Sequence, residues 1–289
     1  MILQRDRNYV LVVGVPGKGE IEITGLHITF QIKKSSDNKK KGNQASVSIY
    51  NLAEDKRKSL EATNVPVRLD VGYLDTGLHE LFHGESTDIV TTRRGEDIVT
   101  TVTLDAAYTG LNHRLVSKLA APGSTVEDIV RNLAVSMPDV ARTKFSGKGL
   151  KQKAVDGYPM SGTPRQILTE LCDAFGLEWQ IDSGILYVTD VVESFMTNAQ
   201  AFIINEMSGL IERPEVTEVE KQRKKGDKKK KGRKGLQIKL LLNPILQAGG
   251  LIKLEYGDLS GMYKIIDIQH EGEIYGSNWM TTITVGSKE

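Results

Sequence analysis

Apolar side chains recur at every second position in short runs, and that period of two constrains this chain more than any other feature. Leu26, Ile28, Phe30 and Ile32 alternate with polar or small residues. So do Val47 and Ile49, then Val65, Val67, Leu69, Val71 and Tyr73, then Val102, Leu104 and Ala106. Each run is roughly five to eight residues long and ends at Gly, Asn or Asp, the pattern of half-buried antiparallel strands. The stretch TTRRGED at 91–97 reads as a hairpin turn. One interruption, EDKRKSLE at 54–61, is charged and poor in strand formers, and it predicts a short helix across a barrel end. The opening MILQRDRNYVLVVGV has a basic start and a short apolar run but no small-residue cleavage site before Pro16-Gly17, so it reads as a first strand rather than a leader. Residues 1–110 are expected to form a β-barrel or sandwich with one small helix.

The period changes in the middle of the chain. Ser124-Thr125-Val126-Glu127 reads as a capping box, with Ser124 accepting from a backbone N–H and Glu127 reaching back. Val126, Ile129, Val130, Leu133 and Met137 follow at helical spacing until Pro138. Thr163-Pro164-Arg165-Gln166 is a second cap, with Pro at the first helical position. Ile167, Leu168, Leu171 and Phe175 form its apolar stripe, and Gly176 is placed to end it in the left-handed conformation. A hairpin is expected over 178–188, turning at Asp182-Ser183-Gly184. Residues 111–195 thus read as a small α+β insert. Strands return in 196–289, at Ile238–Leu242, Ile252–Tyr256, Tyr263–Ile268 and Trp279–Val285.

The first and last thirds run in parallel. Each has a Lys-rich stretch, then a strand ending in Asn (SVSIYNL at 46–52, KLLLNP at 239–244). Each has a strand ending at Gly (VRLDVGY at 67–73, IKLEYGD at 252–258), then a Gly with an aromatic and an Ile/Val strand (LFHGESTDIV at 81–90, GMYKIIDI at 261–268). Each closes on a Thr-rich strand (VTTVTLDA at 99–106, WMTTITVG at 279–286). The shared order argues for two β-barrels of similar design flanking the insert, a mainly β fold.

In that order, IYNL, a short helix, VRLDVGY, LFHG and a hairpin resemble the first barrel of the tail (baseplate) hub proteins of tailed bacteriophages and contractile injection machines. Leu242-Asn243-Pro244, Ala248-Gly249-Gly250, Gly261-Met262-Tyr263-Lys264, His270-Glu271-Gly272 and Trp279 resemble the second. Glu273 stands where the family commonly has Asp. The resemblance spans nearly the whole chain and rests on order and spacing rather than on one sharp motif. It implies a homotrimer whose six barrels present a pseudo-sixfold face to a tail tube protein and a threefold face to a central spike or puncturing protein. It also implies the tape-measure protein or DNA as lumen partners, a place in the virion tail baseplate, assembly in the host cytoplasm, and neither catalysis nor a cofactor.

Charge needs its own account. The chain carries 38 Lys and Arg against 37 Asp and Glu, a net +1 that by itself argues against a nucleic-acid partner. The distribution differs from the total. Segment 221–235 has ten Lys or Arg and one Asp, and segment 33–41 has five Lys and one Asp, leaving the remainder at −12. Lys39, Lys40 and Lys41 in the first segment, and Lys224, Lys225, Lys228, Lys229, Lys230, Lys231, Arg233 and Lys234 in the second, are the candidate contact residues. Three readings of these loops stand: solvated insertions, loops ordered on an acidic neighbour, or contacts to a DNA backbone. The last would make the chain a non-specific nucleic-acid-binding β module, salt-sensitive and without base readout. No aromatic interleaves either segment, so stacking on single strands is unsupported.

Other chemistry finds little support. His79-Glu80-Leu81-Phe82-His83 matches the H-E-x-x-H zinc pattern. Gly77 and Gly84 bracket it and leave no room for a helix. On a strand the two histidines would stand about 13 Å apart, too far to share a metal. Gly14–Gly19 has the glycines and Lys of a phosphate loop in the wrong order, and a strand rather than a helix follows, so it reads as a hairpin connection. Cys172 is the lone cysteine; it excludes an intrachain disulfide, fits a reducing cytoplasm and reads as a buried structural thiol. Asp105, Glu170 and Asp173 fit solvated faces, and Trp179 and Trp279 fit core anchors. No apolar run approaches the ~18 residues of a membrane helix.

Overall fold

The computed structural model describes residues 6–15, 19–39, 42–60, 64–191, 193–219 and 233–287. Its alternating runs are strands. In chain order the elements are β1 (Arg7–Val13), β2 (Ile21–Ile23), β3 (Ile28–Ser35), β4 (Gln44–Tyr50), α1 (Glu54–Leu60), β5 (Pro66–Tyr73), β6 (Gly77–Arg94) and β7 (Asp97–Asp105). Then come α2 (Tyr108–Asn112), β8 (Val116–Ala120), α3 (Val126–Ala134), β9 (Arg142–Ser146), β10 (Tyr158–Gly162), α4 (Pro164–Phe175), β11 (Leu177–Asp182) and β12 (Ile185–Asp190). The last are β13 (Phe202–Ile204), β14 (Glu215–Val219), β15 (Arg233–Leu241), β16 (Leu251–Leu254), β17 (Gly261–Glu273) and β18 (Trp279–Ser287).

Among the described residues thirteen strands form one sheet in the order β14-β15-β18-β17-β3-β4-β7-β6-β5-β1-β2, with β16 beside β17 and β13 beside β16. Two blocks in it have the same internal order: β3-β4-β7-β6-β5 and β14-β15-β18-β17-β16. Their registers coincide residue for residue. Val99–Asp105 of β7 and Met280–Gly286 of β18 take corresponding partners, and β6 and β17 are interrupted at one equivalent point, after Ser86 and after Ile265. A bulge is a specific defect in a ladder, so a bulge shared at one register marks common design. Among the described residues no strand pairing closes either block on itself, so the expected barrels are two blocks of a continuous sheet.

The described residues form three apolar clusters. The first lies between the first block and β1, around Leu11, Ile28, Ile49, Leu69 and Leu104. Trp279 belongs to this cluster although it starts β18: its ring meets Phe30 and Tyr73 edge-on, with centroids 5.4 and 6.4 Å away. The third cluster lies in the second block, around Ile238, Leu254, Ile268 and Ile283. The second belongs to the insert, where α3 and α4 bury Val126, Ile129, Leu133, Ile167, Leu168 and Leu171. Trp179 is fully buried there, as is Cys172, whose thiol burial pushes well above its usual pKa.

The helix signals hold with one shift. Thr163 caps α4 and pairs reciprocally with Gln166, and Gly176 ends it at φ 68°. At α3 the cap is Thr125, paired with Asp128, rather than Ser124 with Glu127. The helix begins one residue later than expected because either residue could accept the bond and the burial of Val126 at the first helical position selects Thr125. The β11–β12 hairpin turns on Ser183 and Gly184, both at positive φ (51° and 69°), as a tight two-residue turn requires.

The insert is tied to the sheet through β11, which is buried on both faces. Leu177, Trp179 and Ile181 face the insert core, while Glu178, Gln180 and Asp182 face the sheet. Asp182 accepts from Lys34 Nζ of β3 at 2.8 Å, and both side chains are buried. Glu178 accepts from Lys264 Nζ of β17, a pair equally buried. Gln180 Nε2 donates to the Ala248 carbonyl at 2.6 Å. Burial pushes the Glu178 carboxyl up to about 7, against the pull of Lys264.

Lys264→Met should cost about 3–5 kcal/mol in urea unfolding, because it strands a buried carboxyl without its cation. The loss should open as pH rises above about 7, where the wild-type carboxyl ionises against Lys264 and the variant's has no cation to ionise against. A carboxyl raised in the folded state lends stability below its unfolded pKa and loses it as pH passes the folded one. Adding Glu178→Leu to Lys264→Met should recover most of the loss.

Candidate functional site

The first basic segment is structured and largely committed within the chain. Lys33 and Lys34 are not loop residues; they lie on β3, where Lys34 falls in phase with Ile28, Phe30 and Ile32 on the buried face. A lysine there is tolerated only because Asp182 meets it. Lys39 Nζ lies 2.7 Å from Asp173 Oδ1 at the end of α4. Between them Asn38, 1% exposed, works as a clamp. Its N–H donates to the Trp179 carbonyl at 2.7 Å, and its Oδ1 accepts from the Ile181 N–H at 3.0 Å. Its carbonyl accepts from Arg165 at 3.1 Å. Asn43 Nδ2 donates to the Ile181 carbonyl at 2.8 Å. The segment therefore satisfies the backbone of β11 as a further strand would.

One carboxylate read as solvated is not. Asp105 is buried beside Arg165, and burial raises its carboxyl above the usual range while Arg165 opposes the shift. Asp173 holds Lys39. Both cations come from segments distant in sequence, so no local pattern marks either contact. Asn38 and Asn43, two short amides flanking a Lys run, are the one sequence signal that this loop is built to bond rather than to float.

The second basic segment joins β14 to β15, the strands that correspond to β3 and β4, so the two segments hold equivalent places in the two blocks. Lys40, Lys41, Lys224, Lys225, Lys228, Lys229, Lys230 and Lys231 lie outside the described residues. Arg233 and Lys234, expected in the loop, start β15 instead; their backbones pair with Val219 and Glu218. β14 itself gave no clear period because three of its residues, Glu215, Thr217 and Glu218, are polar and it borders the sheet.

The motif-like stretches resolve as strands and connections. His79 and His83 are exposed on β6, with a ladder irregularity between them. Among the described residues no group of three or more His, Cys, Asp or Glu is placed to hold a metal. Gly14 and Gly19 belong to the connection between antiparallel β1 and β2, of which residues 16–18 lie outside the described set. His270 is fully buried and burial holds its imidazole well below its usual pKa, with Lys34 adding to the shift; Nδ1 bonds the Thr281 hydroxyl at 2.9 Å. No helix among the described residues is long and apolar enough to cross a membrane.

This is a fold found in tail proteins. The 43 kDa tail protein of prophage MuSo2 from Shewanella oneidensis superposes with a TM-score of 0.65 at 11% identity, covering 98% of this chain and 97% of that one. The tail protein from Neisseria meningitidis MC58 gives 0.64 at 12%, covering 97% of each. The Escherichia coli c3393 protein gives 0.61 at 12%, covering 90% of this chain and 73% of that one. It is described as a component of the type VI secretion system with structural similarity to T4 bacteriophage tail proteins gp27 and gp5. No curated protein matches in sequence. The family model for baseplate hub gp41 matches residues 10–269, and the chain belongs to that family of phage tail baseplate hub proteins.

Asn38→Ala should cost about 1–3 kcal/mol, because it leaves the buried Ile181 N–H without an acceptor. Hydrogen exchange should show the Ile181 amide losing protection more than the amides of β4 and β7.

Proposed function

We propose that this hub protein is a homotrimeric symmetry adaptor that joins a sixfold tail tube to a threefold central spike. The carrying observation is the repeat of strand order, register and bulge between the two blocks of one chain. A chain holding two near-equivalent units, three times over, offers six near-equivalent positions while keeping one threefold axis. We divide the chain into a first barrel-like unit at 1–110, the insert at 111–195 and a second barrel-like unit at 196–289. The separate apolar cluster of each part supports this division. The role is structural rather than catalytic. It belongs to the virion tail, with assembly in the host cytoplasm and with the tube and spike proteins as partners. The likeness to a type VI secretion component of similar fold is in keeping with that role.

The rival reading is a non-specific DNA-binding module. Lys34 and Lys39 weigh against it, since both already neutralise carboxylates of their own chain. We assign the 221–235 segment instead to an acidic protein surface, by analogy with the way segment 33–41 meets the insert.

Purified chain should sediment at about three times its 31.9 kDa mass and give rings in negative stain. A monomer that forms no ring, and whose binding to duplex DNA falls steeply with salt, would overturn the adaptor in favour of the rival.

A further inference from the structure

Inside the chain the two blocks meet edge to edge. The C-terminal half of β17 pairs antiparallel with β3, from Asp267 opposite Ser35 to Glu273 opposite Thr29. The equivalence of the blocks carries this seam onto two other strands. Through their partners on β7 and β18, Asp88, Ile89, Val90, Thr91 and Thr92 correspond to Asp267, Ile268, Gln269, His270 and Glu271. Through their partners on β4 and β15, Gln31, Ile32 and Lys33 correspond to Glu215, Val216 and Thr217, and the strands continue in step to Val219.

Both of these edges are open. Among the described residues β14 pairs only with β15, and β6 beyond Asp88 pairs only with β7. Unpaired N–H and C=O groups along an edge are a template for another strand. Their side chains are unusual for free edges. Val216 is 65% exposed where its counterpart Ile32 is fully buried, and Val90 is 46% exposed. Thr91 repeats the bond of its counterpart His270: its hydroxyl lies 3.1 Å from that of Thr100, as His270 meets Thr281. At the end of β6, Arg94 stands two residues beyond the counterpart of Glu271, on the side where Glu215 of β14 would come diagonal to it.

We propose that the open edge of β6 pairs antiparallel with the open edge of β14 in a second copy of this chain. The register runs from Asp88 opposite Val219 to Thr92 opposite Glu215, and places Thr91 against Val216. The contact joins two different edges, so it propagates from copy to copy and closes only as a ring. It rests on the trimeric reading and supplies that reading with its subunit interface.

The test is disulfide trapping in the full chain. Thr91→Cys with Val216→Cys should, on mild oxidation, give dimer and trimer bands on a non-reducing gel and nothing larger. Either single variant, and the mismatched pair Val90→Cys with Val216→Cys, should give at least 10-fold less. Cys172 is fully buried and stays out of the reaction. A second variant, Val216→Lys, should weaken self-association at least 10-fold in sedimentation while leaving circular dichroism unchanged. A wild-type trimer with no preference for the matched pair, or one undisturbed by Val216→Lys, overturns this seam and leaves the adaptor standing. A wild-type monomer overturns both.

Discussion

The arrangement depends on the polar face of one short strand. β11 presents Glu178, Gln180 and Asp182 to the sheet, and two lysines answer them, Lys34 from the first block and Lys264 from the second. All four charged side chains are buried, so each would be costly alone. Together they tie three parts of the chain to a single geometry. Apolar contacts would hold the insert against the sheet equally well but at many angles. Paired charges out of water tolerate few, and the buried amides of Asn38, Asn43 and Gln180 narrow the choice further.

That tie matters because the two blocks are so alike. Each has the same strand order and the same bulge, and nothing in a bare ladder says which block the insert should join. Lys34 and its counterpart Glu218 differ in sign, and Lys264 and its counterpart Glu85 differ likewise. The insert's carboxylates therefore recognise one side of the internal seam and not the equivalent positions elsewhere. A protein built as a twofold repeat becomes asymmetric at four charged residues. The proposed adaptor role would need both properties, near-equivalence toward a sixfold partner and distinction toward a threefold one.

Much of the fold is legible in the residues. The period of two names most strands, the change to helical spacing marks the insert, and the Thr-Pro-Arg-Gln and Gly176 signals bound α4 at both ends. The order of short strands was enough to raise the repeat and the hub resemblance. β14 was not legible, because a polar strand at the border of a sheet has no apolar period to display. Asp105 looked solvated because its burial depends on Arg165 and Gly42, neither of them near it in sequence. The basic segment 33–41 looked like one charged loop because composition counts lysines without saying which face of a strand they occupy.

By itself the sequence determined the local elements, the caps and turns, the insertion between two related halves, and the grouping of basic residues. These follow from periodicity and backbone chemistry, which act over a few residues. Tertiary structure alone decided that the halves join as one sheet, that Lys34 and Lys264 turn inward to hold β11, and that β6 and β14 keep open edges among the described residues. Those outcomes are set by neighbours from 86 to more than two hundred residues apart, and by the need of each buried charge and backbone amide for a partner that no local pattern can name.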